Sequence, residues 1–109
     1  MRILAIDPGT VRCGLAVSDS LGMLATPLQA VPVGDGRELV ARLAARAVEL
    51  EAERILVGHP LNMDGTEGPR AQASARLVEA LRAVTAIPVD LVDERLSSFE
   101  AEDRLREAG

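Results

Sequence analysis

Two places in the chain set carboxylates at the end of an apolar run. Asp7 follows Ile3-Leu4-Ala5-Ile6 and precedes Pro8-Gly9-Thr10, and Asp93-Glu94 follow Val89-Asp90-Leu91-Val92. A carboxylate at the end of a buried strand is costly unless something pairs with it. Carboxylates that converge repel one another unless they share a proton or a cation. Ligands made only of oxygen suit Mg²⁺ or Mn²⁺, which keep several waters and use one or two carboxylates together with substrate phosphates. Metals held this way can activate water and stabilise the leaving oxygen in phosphodiester hydrolysis. A plainer reading stands beside this one. Aspartate before Pro-Gly is a common turn former, and Asp93 or Glu94 can pair with the adjacent Arg95.

Other polar residues cluster near these acids in sequence. Thr10 and Arg12, just past Asp7, are candidate phosphate contacts. The stretch Asn62-Met63-Asp64-Gly65-Thr66 offers Asn62, Thr66 and backbone amides to a phosphate. The same side chains could equally close a turn. Arg12, Arg70 and Arg95 are the arginines nearest the motifs. His59, beside Pro60, reads as a packed or exposed histidine, given the oxygen preference of Mg²⁺. Cys13, inside an apolar run, reads as a small core residue.

The elements that must position these residues follow from periodicity. Residues 2–7 read as a buried strand, 8–12 as a turn, and 13–18 as a second strand. A turn at 19–22 leads to a third strand at 23–33, interrupted by Pro27. Leu39, Val40, Leu43, Ala47 and Leu50 then fall on one helical face. Residues 54–58 form a short buried strand. A polar loop separates it from a helix over 70–85, with Ala73, Leu77, Leu81 and Val84 expected inward. Residues 88–92 supply a fifth strand, and the capping-box spacing of Ser97 and Glu100 starts a third helix near Ser98. The order β-β-β-α-β-α-β-α implies a mixed five-stranded α/β sheet: three antiparallel strands, then parallel strands reached through helices on its faces. In such sheets ligands gather at the carboxyl ends of the strands.

Composition narrows the function. With 109 residues, 48% of them hydrophobic, the chain suits one domain with a real core. One cysteine excludes an internal disulfide and fits the cytoplasm. No leader and no apolar stretch long enough to span a membrane is visible. The net charge of −5 argues against a protein that simply coats nucleic acid. Yet all 12 basic residues are arginine, so a local arginine face could still hold a phosphate backbone. A single aromatic residue, Phe99, makes a base-stacking platform a poor expectation.

Three blocks, AIDPGTVRCGLAVSD, ILVGHPLNMDGTEG and VDERLSSFEA, occur in this order with helices between them. Together they resemble the signature blocks of the YqgF/RuvX family, described as pre-16S ribosomal RNA nucleases and as Holliday junction resolvases with an RNase H-like fold. The resemblance implies a single RNase H-like nuclease domain over residues 1–109. It implies that Asp7 is the first-strand metal ligand and that Glu94, with Asp93, is the second acidic element. It also implies Mg²⁺ or Mn²⁺ as cofactor and nucleic acid, pre-rRNA or branched DNA, as partner. The expected protein acts in the cytoplasm in ribosome biogenesis, as a monomer or weak homodimer. Two departures are visible. The family carries a further C-terminal helix with another acidic residue, which the resemblance leads us to expect these 109 residues to lack, and His59 stands where the family usually has an apolar residue. Two other classes remain open. One is a non-catalytic nucleic-acid-binding assembly factor with an incomplete metal site. The other is a phosphate-cradling fold of the sugar-kinase and actin-like type, suggested by the Asp-x-Gly-Thr turn alone.

Overall fold

A computed structural model describes residues 1–18 and 25–93. Strands β1 (Ile3–Asp7), β2 (Arg12–Ser18) and β3 (Ala25–Pro32) come first. Helix α1 (Gly36–Glu49), strand β4 (Arg54–His59), helix α2 (Pro69–Val84) and strand β5 (Val89–Asp93) follow. The sheet runs in the order β3-β2-β1-β4-β5. β1–β2 and β2–β3 are antiparallel; β1–β4 and β4–β5 are parallel. This is the mixed sheet expected from the order of periods. The third helix and the 19–22 turn lie outside the described residues.

The edge position of β3 explains how it tolerates Pro27 and Pro32, which cannot donate to a ladder. One core collects Leu4, Ile6, Cys13 and Leu15 from the first two strands with Ile55, Val57 and Val89 from the parallel pair. These alternate with more exposed neighbours, so one face of the sheet packs against the helices.

Helix α1 starts where the Asp35 carboxylate accepts from the Arg37 amide at 2.8 Å, and it buries Leu39, Leu43 and Ala47 as the period requires. It ends with Glu51 in the left-handed region (φ 56°) while the Ala52 amide bonds the Ala47 carbonyl. Helix α2 starts at Pro69 and buries Ala71, Ser74, Val78 and Leu81. Its phase differs from the expectation. Leu81 is buried and Leu77 packs partly against the core, but Ala73 and Val84 are exposed. The stripe on β4 and β5 lies one residue, about 100°, away from the most hydrophobic one. Contact with the sheet selected a stripe containing alanine and serine, and left the apolar one facing α1.

Candidate active site at the carboxyl edge of the sheet

Asp7 ends β1 at the carboxyl edge and is exposed. The antiparallel register sets it opposite Gly14, where a Cβ would stand 3.7 Å from the Asp7 Cβ. Both therefore point to the same face of the sheet. Parallel register pairs Ile6 with Val57 and Gly58 with Val92, so Asp7 falls level with Gly58. Neither neighbouring strand places a side chain against the Asp7 carboxylate, because both positions are glycine. Among the described residues Asp7 makes no side-chain hydrogen bond or ion pair. An exposed carboxylate at a strand end with a glycine on either side leaves room for a ligand beside it.

The turn after Asp7 is held by sterics. A Cβ on Gly9 would sit 2.3 Å from the Arg12 carbonyl oxygen, so only glycine allows the chain to double back there. The Val33 amide closes the same turn onto the Val11 carbonyl at 2.8 Å. Thr10 and Arg12 are both exposed beside Asp7, as a phosphate contact requires. From the other side, Arg70 in the first turn of α2 donates from Nη2 to the Pro8 carbonyl at 3.0 Å.

Behind the turn, Cys13 is buried, and burial pushes its thiol pKa up. The Asp7 negative charge raises it further, while a backbone hydrogen bond with Gly9 opposes the rise. The thiol is thus the small core group expected.

The β4–α2 loop is closed by its own side chains. The Asn62 side chain donates from Nδ2 to Thr66 Oγ1 at 3.0 Å, and the Thr66 hydroxyl donates to Asp64 Oδ1 at 2.7 Å. The Thr66 amide also donates to Asp64 Oδ1 at 3.0 Å, and Gly65 takes φ 88°. The single hydroxyl hydrogen of Thr66 is therefore used within the loop. Asn62 keeps a second side-chain amide hydrogen that these loop bonds do not use. Sequence reading missed the brace at the loop's ends: His59 Nε2 and Glu67 Oε2 lie 2.7 Å apart, with the His59 side chain only 15% exposed.

Asp93 ends β5 level with His59, one position beyond the Gly58–Val92 pair. The pleat sends alternate residues to opposite faces. Asp7 goes with Gly58, and Asp93 goes with His59, so strand order alone does not bring Asp7 and Asp93 together. Strand β4 also separates β1 from β5. Among the described residues no three His, Cys, Asp or Glu side chains form a metal-sized group. Glu94 and Arg95 lie outside the described residues.

The fold has solved relatives. Thermus thermophilus RuvC in complex with Holliday junction substrate superposes with a TM-score of 0.58 at 20% identity, over 99% of this chain and 75% of that one. The architecture is RNase H-like. The family follows from sequence. The RuvX model, described as Holliday junction resolvase, matches residues 1–109, and the chain belongs to that family. A protein of Anaeromyxobacter dehalogenans (strain 2CP-1) named "Putative pre-16S rRNA nuclease" is 48% identical over all of this chain and 80% of its own length. One of the same name from Chloroflexus aggregans is 42% identical over 98% of this chain and 75% of its own. With these relatives the class is a hydrolase acting on nucleic acids.

Proposed function

We propose that the chain cuts the phosphodiester backbone of pre-16S ribosomal RNA, with Asp7 and Glu94 as the ligands of Mg²⁺ or Mn²⁺ and Asp93 as a flanking acid. One observation carries the proposal: the Asp7 carboxylate stands exposed at the strand end, between two glycines, with no protein partner among the described residues. The donor chemistry fits a hard cation, because Asp7 and Glu94 offer only oxygen. A divalent ion there would polarise the phosphate and make a nucleophile from water. The chain's own residues bind and orient. Thr10 and Arg12 offer donors beside Asp7, Arg95 follows Glu94 in sequence, and Asn62 offers its remaining amide hydrogen. Thr66 supports this by holding Asn62 in place. The protein acts in the cytoplasm as a monomer or weak homodimer.

The test is a cleavage assay with the full chain on pre-16S RNA and on four-way DNA junctions, each with Mg²⁺, Mn²⁺ or EDTA. The RNA should be cut with either metal and left intact with EDTA. Asp7→Asn should abolish cutting while the thermal midpoint without metal stays level, since the Asp7 side chain makes no hydrogen bond or ion pair among the described residues. Selective cutting of the junction would move the substrate to branched DNA, in keeping with the family's description. Tight RNA binding with no cutting of either substrate would replace the nuclease by an assembly factor.

A further inference from the structure

The two helices leave a groove between them of about 950 Å³, walled by Val40 and Ala44 of α1 and by Ala73 and Leu77 of α2. It lies on the helical layer, and one end reaches Pro8, Gly9 and Cys13 beneath the Asp7 turn. Val84, at the other end, is 58% exposed, although it belongs to the most hydrophobic stripe of its helix.

The charges on the helices are distributed unevenly around this groove. Arg42 and Arg46 of α1 pair with Glu38 and Glu49, and Arg82 of α2 pairs with Glu79 and Asp90. Arg70 is committed to the Pro8 carbonyl. That leaves Arg37 and Arg76, the two helix arginines whose side chains have no partner among the described residues, and both line the groove. In a chain of net charge −5, the positive charge left uncompensated on the helices is concentrated at the rim of an apolar channel.

We propose that this groove docks an amphipathic helix of a partner protein, whose apolar stripe fills the channel and whose Asp or Glu side chains meet Arg37 and Arg76. Alanines on both walls let a helical backbone approach closely, and the apolar lining supplies the burial that a helix-in-groove contact needs. Nucleic acid fits this surface poorly: its phosphates would find two donors at the rim and an apolar floor with no aromatic ring to stack on. A second copy also fits poorly. A two-fold interface sets the same patch against itself and would gather four arginines in one interface whose lining residues include no Asp or Glu. Because the groove ends under Gly9, an occupant would also brace the turn that carries Asp7.

The test places the photo-crosslinker p-benzoylphenylalanine at Ala80, a lining residue, and irradiates the full chain in extract of its own cells. The crosslinked peptide is sequenced by mass spectrometry and synthesised with a fluorophore for anisotropy. The expected peptide has apolar residues at helical spacing flanked by Asp or Glu. The double change Arg37→Glu, Arg76→Glu should weaken its binding by about tenfold or more. The milder pair Arg37→Gln, Arg76→Gln should weaken it less, with an unchanged circular-dichroism midpoint and unchanged cleavage in the absence of peptide. Crosslinking to a second copy, to RNA or to no single acidic segment overturns the proposal. So does a peptide whose affinity ignores both pairs of changes.

Discussion

The Arg70 guanidinium donates to the Pro8 carbonyl at 3.0 Å across 62 residues of sequence, tying the start of α2 to the turn that follows Asp7. Helix α2 begins with Pro69, has no side-chain cap and carries no acid in its first turn. Arg70 is therefore anchored by its bond to the strand-end turn rather than by its own helix. A charged donor on a carbonyl contributes about 1.5–3 kcal/mol in favourable cases, and less where the bond is exposed to solvent, as here.

Arg70→Met should consequently leave the fold nearly as stable, with a thermal midpoint within a few degrees of wild type. Cleavage should fall by about tenfold, because the Asp7 turn loses an external support. Nuclease rate and thermal melting on the same samples check this. A drop in the midpoint without a drop in rate would make Arg70 purely structural.

Gly9 and Gly14 lie close to Asp7 but should differ sharply in their tolerance of alanine. At Gly9 the new methyl meets the Arg12 carbonyl oxygen at 2.3 Å, a backbone atom that cannot move aside alone. Gly9→Ala should cost about 2–3 kcal/mol. At Gly14 the nearest atom is the Asp7 Cβ at 3.7 Å, an ordinary contact. Gly14→Ala should cost little stability but place a methyl beside the carboxylate. Urea titrations compare the two directly.

Ser74 is fully buried on the sheet-facing stripe of α2, and its hydroxyl has no hydrogen-bond partner among the described residues. Removing an unsatisfied buried hydroxyl recovers its desolvation cost, and alanine is the better helix former. Ser74→Ala should raise stability by about 0.5–1 kcal/mol, read from the shift of the urea midpoint.

The raised thiol pKa of Cys13 gives a pH dependence of known sign. Burial is the main cause, with the Asp7 charge adding to it. The folded state favours the protonated thiol. Its contribution to stability is fully present below the ordinary thiol range and is lost as pH rises through the raised folded value. Alkylation of the native protein should be slow at neutral pH and accelerate only above the usual thiol range. Asp7→Asn should bring the onset to lower pH, because one of the raising charges is gone. An onset that ignores Asp7→Asn would place the carboxylate too far from Cys13 to matter.

The order of elements was legible because each strand and helix carries its own period, and the parallel and antiparallel pairings follow from whether a turn or a helix intervenes. The placement of Asp7 was legible too, from the apolar run and the Pro-Gly after it. What escaped was decided between distant segments. The phase of α2 depended on which stripe met β4 and β5, and the most hydrophobic stripe was not chosen. The insertion of β4 between β1 and β5 set Asp93 level with His59 rather than with Asp7, a consequence of register that no local pattern encodes. The ties Arg70–Pro8 and His59–Glu67 join residues whose types allow many partners.

The pair His59 and Glu67 separates two kinds of loss at the base of the β4–α2 loop. The His59 side chain is 15% exposed and the Glu67 side chain 44%, so water can replace the partner of the glutamate far more readily than that of the histidine. Glu67→Ala strands a ring nitrogen in a nearly closed site and should cost about 1–2 kcal/mol. His59→Leu fills the same site with an apolar group and returns Glu67 to solvent, so it should cost less than about 1 kcal/mol. Both changes release the end of the loop, and both should speed hydrogen exchange at the Asn62 and Gly65 amides, which bond the Thr66 and Asn62 carbonyls. Stability would then distinguish the variants while loop exchange would not. If His59→Leu proves the more damaging change, the imidazole has a second partner that contributes more than Glu67 does, and the brace lies elsewhere than in this pair.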